Sequence, residues 1–103
     1  MILFLNMSYM GQGYVLDTME AFLLTPKRIR SLGRLATGED NSGAVVDEPP
    51  VWWKATYHVV KNKEKARLVV RITDSGGGVS ISDFLITSAG LRPVGKVGER
   101  LLK

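Results

Sequence analysis

Residues 51–87, VWWKATYHVVKNKEKARLVVRITDSGGGVSISDFLIT, leave room for little but a run of antiparallel strands. Trp53, Ala55, Tyr57 and Val59 alternate with Trp52, Lys54, Thr56 and His58, the period of two expected of a half-buried strand. Leu68, Val70 and Ile72 repeat the pattern against Arg67, Val69, Arg71 and Thr73. Both connections are written out. Asp74-Ser75-Gly76-Gly77-Gly78 can supply the positive backbone dihedrals of a tight hairpin, and Lys61-Asn62-Lys63-Glu64-Lys65 is too polar to bury. In the last strand Val79 and Ile81 share one phase while Phe84 and Ile86 take the other, which predicts a β-bulge near Ser82-Asp83. The reading is an α+β or mainly β fold centred on a three-stranded meander, with an incomplete β-sandwich as one form of it.

What completes the sheet has to come from the flanks. Residues 2–5 read as a first strand, Gly11-Gln12-Gly13 as a turn, and Tyr14-Val15-Leu16 as a second short strand. Asp17 or Thr18 can cap a helix with Glu20 as the capping-box partner, so residues 18–24 read as helical, with a competing reading of 20–24 as a strand. Thr25-Pro26 is an N-cap followed by proline at the first helical position. Ile29, Leu32 and Ala36 then recur at helical spacing up to a stop at Gly38, which predicts a helix over 26–37. One or two short helices within 18–37 would thus cover the apolar face of the meander. Residues 39–50 form a long loop with Glu39, Asp40, Asp47, Glu48 and Pro49-Pro50, and residues 88–103 a Gly- and Pro-containing extended tail with at most one helical turn. The whole, residues 1–103, is expected to be a single domain.

Chemistry is scarce in this composition. There is no cysteine, so disulfides and thiolate metal sites are excluded, and a single histidine, His58, rules out a multi-histidine site within one chain. A Ser-His-Asp triad would have to use His58, and no nucleophile is placed near it. The glycines of 76–78 lack the lysine and the following helix of a phosphate-cradling loop. No catalytic residue, cofactor or metal is expected, and the chain is not read as an enzyme. With 45% hydrophobic and 23% charged residues it has the balance of a globular domain. Apolar residues 1–5 lack a basic leader, so neither a signal peptide nor a membrane span is expected, and Met7 and Met10 are further candidate starts.

Charge points to surfaces rather than to a site. The formal net charge of +4 is unevenly spread. Lys27, Arg30 and Arg34 would make one stripe of the 26–37 helix, and Lys61, Lys63 and Lys65 crowd one loop; either could follow a nucleic-acid backbone, and either could be an ordinary solvated face. Trp52, Lys54 and His58 share the polar face of their strand, which makes them a possible protein interface, whereas Trp53 and Tyr57 fall on the core phase. Trp52 and Trp53 together could stack on sugar rings, provided both are exposed.

Residues 66–90, ARLVVRITDSGGGVSISDFLITSAG, resemble the closing hairpin of jelly-roll modules, similar to carbohydrate-binding modules, that recur in bacteriophage tail and fibre proteins. The likeness lies in the strand 67–73, the Gly-rich turn, the strand 79–86 and the small-residue exit at Ala89-Gly90. It implies a β-rich virion or surface component and carries no sugar-binding residue with it. The expectation is a structural or assembly protein, in a phage tail or head, virion or cytoplasmic, acting through protein partners as a homo-oligomer or part of a larger assembly. A basic nucleic-acid-binding module is the alternative, and a carbohydrate-binding module a further one.

Overall fold

The structure, a computed structural model, describes residues 1–43, 49–63 and 65–102. Among these residues seven strands follow one another: β1 (Ile2–Gly11), β2 (Tyr14–Leu24), β3 (Ile29–Asp40), β4 (Trp52–Asn62), β5 (Lys65–Asp74), β6 (Val79–Thr87) and β7 (Gly90–Pro93). A short helix, α1 (Lys96–Leu101), comes after them. The strands form one antiparallel sheet in chain order, β1 to β7, so every connection is local. Among the described residues no Greek-key crossover of the jelly-roll kind interrupts that order.

The meander expected over 51–87 is present as β4, β5 and β6, inside a larger sheet. The helices expected within 18–37 are not. Residues 18–24 belong to β2 and residues 29–37 to β3, so the strand reading of 20–24 is the correct one. Two register shifts between β2 and β3, at Asp17/Thr18 and at Ala21/Phe22, explain the false helical signal. The shifts leave Leu32 and Thr37 without a partner in the ladder, so the inward phase of β3 is broken and its buried residues become Leu32, Leu35, Ala36 and Gly38. Spacings of three and one imitate a helix turn where a bulged strand is twisting.

Other expectations shift as well. β1 runs to Gly11, well past residue 5, and closes on β2 through a two-residue turn in which Gln12 has φ 52° and Gly13 φ 84°. Both are left-handed, the requirement of a type I′ hairpin. Glu39 and Asp40 close β3 rather than opening the loop, while Asp47 and Glu48 lie outside the described residues. The tail is more ordered than an extended strap, since it contributes β7 and α1. No bulge occurs at Ser82-Asp83: β5 and β6 pair without interruption from Ala66↔Ile86 to Thr73↔Val79. Ser82, Phe84 and Ile86 take the inward phase, and Val79 and Ile81 are simply apolar residues pointing outward, 58% and 65% exposed.

The core explains why one sheet can be stable. Met19, Ala21, Leu32 and Leu35 from β2 and β3 meet Leu68, Val70, Phe84 and Leu91 from β5, β6 and β7, with Leu101 of α1 closing the cluster. The sheet is therefore folded over on itself. Its hinge is the β3–β4 junction, where only Gly38↔Lys54, Glu39↔Trp53 and Asp40↔Trp52 pair. The remainder of β3 is covered by the tail: a bridge links Leu35 to Leu102, and a Cβ on Gly90 would stand 3.1 Å from the Leu32 carbonyl oxygen.

Candidate functional site

Antiparallel partners point to the same side of a sheet, so the ladders define the outer face of β4–β6 row by row. Lys54, Thr73 and Val79 make one row, Thr56, Arg71 and Ile81 the next, and His58, Val69 and Asp83 a third. Val60, Arg67, Leu85 and Arg92 make a fourth. Cationic and apolar side chains are thus interleaved. Lys54 Nζ lies 5.7 Å above the Trp52 ring, a cation–π contact, and Arg67 reaches Asp83 Oδ2 at 2.9 Å.

The structure brings the expected interface residues Trp52, Lys54 and His58 onto this face, with Lys54 and His58 exposed and Trp52 half-buried. Trp53 packs against the core with Ala55 and Tyr57. A sugar platform made of both tryptophans is therefore not assembled. Lys61, Lys63 and Lys65 are exposed together at the tip of the β4–β5 hairpin, where Lys63 has φ 56°.

Lys27, Arg30 and Arg34 are not brought into one stripe. Lys27 sits in the β2–β3 turn, Arg30 pairs with Leu23 of the core-packed phase, and Arg34 pairs with Glu20 on the opposite side. Glu20 is fully occupied there. Its Oε1 accepts from Arg34 at 3.0 Å and its Oε2 from the Ser31 hydroxyl at 2.7 Å. The Ser31 hydrogen bond, followed by Arg34, holds the Glu20 carboxyl below its ordinary value, and Glu20 raises Arg34 in return. Asp40 is likewise lowered, chiefly by the backbone amide of Ser42.

A shallow, open cleft of about 320 Å³ lies where β1 and β2 approach β4, lined by Asn6, Ser8, Asp17, Thr18, Thr37 and Lys54 among others. Its polar groups are already paired in part, since the Ser8 hydroxyl donates to Asp17. No group of three or more His, Asp or Glu side chains suited to a metal ion occurs among the described residues. Nor is any helix among them long and apolar enough to cross a membrane.

The most conspicuous surface was missed in the sequence. Leu3, Leu5, Met7 and Tyr9 line the outward face of β1, each between 40% and 49% exposed. β1 pairs with β2 alone, and its other side meets no strand among the described residues. The available signal was the alternation through residues 2–10, ILFLNMSYM, which carries no charge at all. Comparison of the chain with family models, with curated proteins and with solved structures finds no match.

Proposed function

We propose that the chain is a non-enzymatic structural or assembly protein that acts through protein–protein contacts. The observation that carries this reading is β1, an outermost strand of ten residues with an exposed apolar stripe and no charge or proline to guard it. Soluble proteins ordinarily blunt such edges, because their unpaired amides and carbonyls template association. The mixed basic and apolar face around Trp52, Lys54, His58, Arg71 and Ile81 offers a second contact surface. A setting in a phage tail or head rests on the hairpin resemblance over residues 66–90.

Light scattering coupled to size exclusion, over a range of protein concentration, tests the reading. Mass that rises with concentration is expected; a strict monomer at the highest concentration overturns self-assembly.

One observation favours a nucleic-acid-binding module as the second reading, namely the three exposed lysines Lys61, Lys63 and Lys65 at one hairpin tip. Binding through them would fall steeply with salt. Filter binding at low salt, with no retention of single- or double-stranded DNA or RNA, removes it.

A further inference from the structure

The hydrogen-bond parity of β1 determines what its free edge can accept. The Met1 carbonyl accepts from the Leu24 amide at 2.8 Å, and the register continues as Leu3↔Phe22, Leu5↔Glu20, Met7↔Thr18 and Tyr9↔Leu16. Bonded pairs in an antiparallel ladder recur every second residue. The odd-numbered residues of β1 therefore spend their backbone groups on β2, and the turn-flanking pair Gly11↔Tyr14 has the same parity. The amides and carbonyls of Ile2, Phe4, Asn6, Ser8 and Met10 consequently point at the open edge.

We propose that this edge is taken by β1 of a second copy of the chain, paired antiparallel about a two-fold axis through Asn6. The inference rests on the assembly reading and names its partner and register. An isologous contact needs a surface complementary to itself, and β1 meets that demand on three counts. First, centring on Asn6 sets Ile2 opposite Met10, Phe4 opposite Ser8 and Asn6 opposite Asn6 of the second copy. That is the register in which every outward-pointing residue finds a bonded partner. Second, the same register lays Leu3 against Tyr9 and Leu5 against Met7 of the second copy, so the exposed stripe continues as apolar pairs. Third, no charged side chain lies in residues 2–11, so the pairing removes no ion from water despite the net charge of +4. Each copy of this chain already supplies an unpaired, uncharged strand edge of matching length and register.

The absence of cysteine from the chain makes the register directly testable. An Asn6→Cys variant would place two thiols on a bonded pair with Cα atoms about 5.5 Å apart, within the span a disulfide bridges. Mild oxidation is expected to convert it to a covalent dimer, while Ile29→Cys, exposed at the start of β3, remains uncrosslinked. Because Asn6→Cys also gives up the Tyr57 contact, hydrogen exchange on the unmodified protein provides a second readout. The amides of Ile2, Phe4, Asn6, Ser8 and Met10 should gain protection as concentration rises. Leu5→Lys combined with Met7→Lys, which sets like charges opposite each other across the axis, should abolish both that gain and the dimer mass. An oligomer whose even-numbered β1 amides stay open overturns the pairing and leaves the assembly reading standing; a strict monomer overturns both. Protection that persists on dilution to monomer shows the edge covered from within the chain, and likewise overturns the pairing.

Discussion

The hydroxyl of Tyr57 in β4 donates to Oδ1 of Asn6 in β1 at 2.8 Å, joining strands 51 positions apart. The Tyr57 ring also meets Phe4, with centroids 5.5 Å apart and planes tilted by 50°. These contacts lock the outer hairpin over the folded sheet, because β1 has no ladder to β4. Tyr57→Phe keeps the ring and removes the bond, and should cost about 0.5–1.5 kcal/mol in urea unfolding. A double-mutant cycle with Asn6→Ala isolates the pair. A coupling near zero would mean that the Phe4–Tyr57 ring contact, and not the hydrogen bond, ties β1 to β4.

Among the described residues Phe84 is the largest side chain fully withdrawn from water, and it sits where β6, β7 and α1 converge. Phe84→Ala should destabilise the chain by about 3–5 kcal/mol, a large fraction of the roughly 5–15 kcal/mol that is ordinary for a domain of this size. The fit is tight on the helix side. A Cβ on Gly98 would lie 3.2 Å from both Phe84 Cζ and Pro93 Cβ, so Gly98→Ala crowds the site; set against alanine's gain of about 1 kcal/mol in helix propensity, the net cost should be no more than about 2 kcal/mol. Thermal melts of the two variants check the ranking, and a Gly98→Ala variant stabilised by the full helix-propensity gain would show α1 free to move off the sheet.

The strands that could be read from sequence are those whose face alternates without interruption. In β4 and β5 the inward residues Ala55, Tyr57, Leu68 and Val70 keep a strict period of two, and both turns carry glycine or charge. β3 defeats the same reading because its bulges bring Leu32, Leu35 and Ala36 inward at spacings a helix would use, and because Thr25-Pro26 forms a turn. There the Thr25 hydroxyl accepts from the Arg28 amide at 3.2 Å, a bond that closes a hairpin instead of capping a helix. The grouping of Trp52, Lys54 and His58 followed from periodicity, and the stripe of Lys27, Arg30 and Arg34 dissolved with the helix. The β1 edge could not be read, because whether a strand is outermost depends on the order of the whole sheet.

Gly90 opens β7 with φ +145°, a conformation that residues with a side chain rarely adopt. A methyl group there would also press to 3.1 Å on the Leu32 carbonyl oxygen. Gly90→Ala should therefore cost about 1–3 kcal/mol. The damage should be local before it is global, since β7 and the tail shield β3. Hydrogen exchange is expected to speed at Leu91 and across the middle of β3 while the β4–β5 ladder stays protected. Uniform loss of protection would show instead that the tail is an inseparable part of the cooperative unit.

Glu20 gives the chain a defined acid response. Its carboxyl accepts from the Ser31 hydroxyl and from Arg34, and both bonds favour the ionised form, lowering its pKa. In the unfolded chain the same group titrates near its ordinary value of about 4.3. A carboxyl whose folded pKa is the lower one contributes stability that is complete above the unfolded pKa and disappears as pH falls through the folded value. The contribution should thus be intact at neutral pH, begin to fall as pH drops below about 5, and be gone once the folded carboxyl is protonated. Glu20→Gln removes that component, so its stability should lie below that of the unmodified chain at pH 7 and converge with it in acid. Because the pair faces solvent, the difference should be small and should shrink in molar salt. Asp40, lowered chiefly by the Ser42 amide, remains in the variant and preserves part of the acid slope. Chemical denaturation midpoints between pH 7 and pH 2, with and without salt, decide it: parallel curves for the two proteins would mean that the carboxyl gains nothing from its partners on folding.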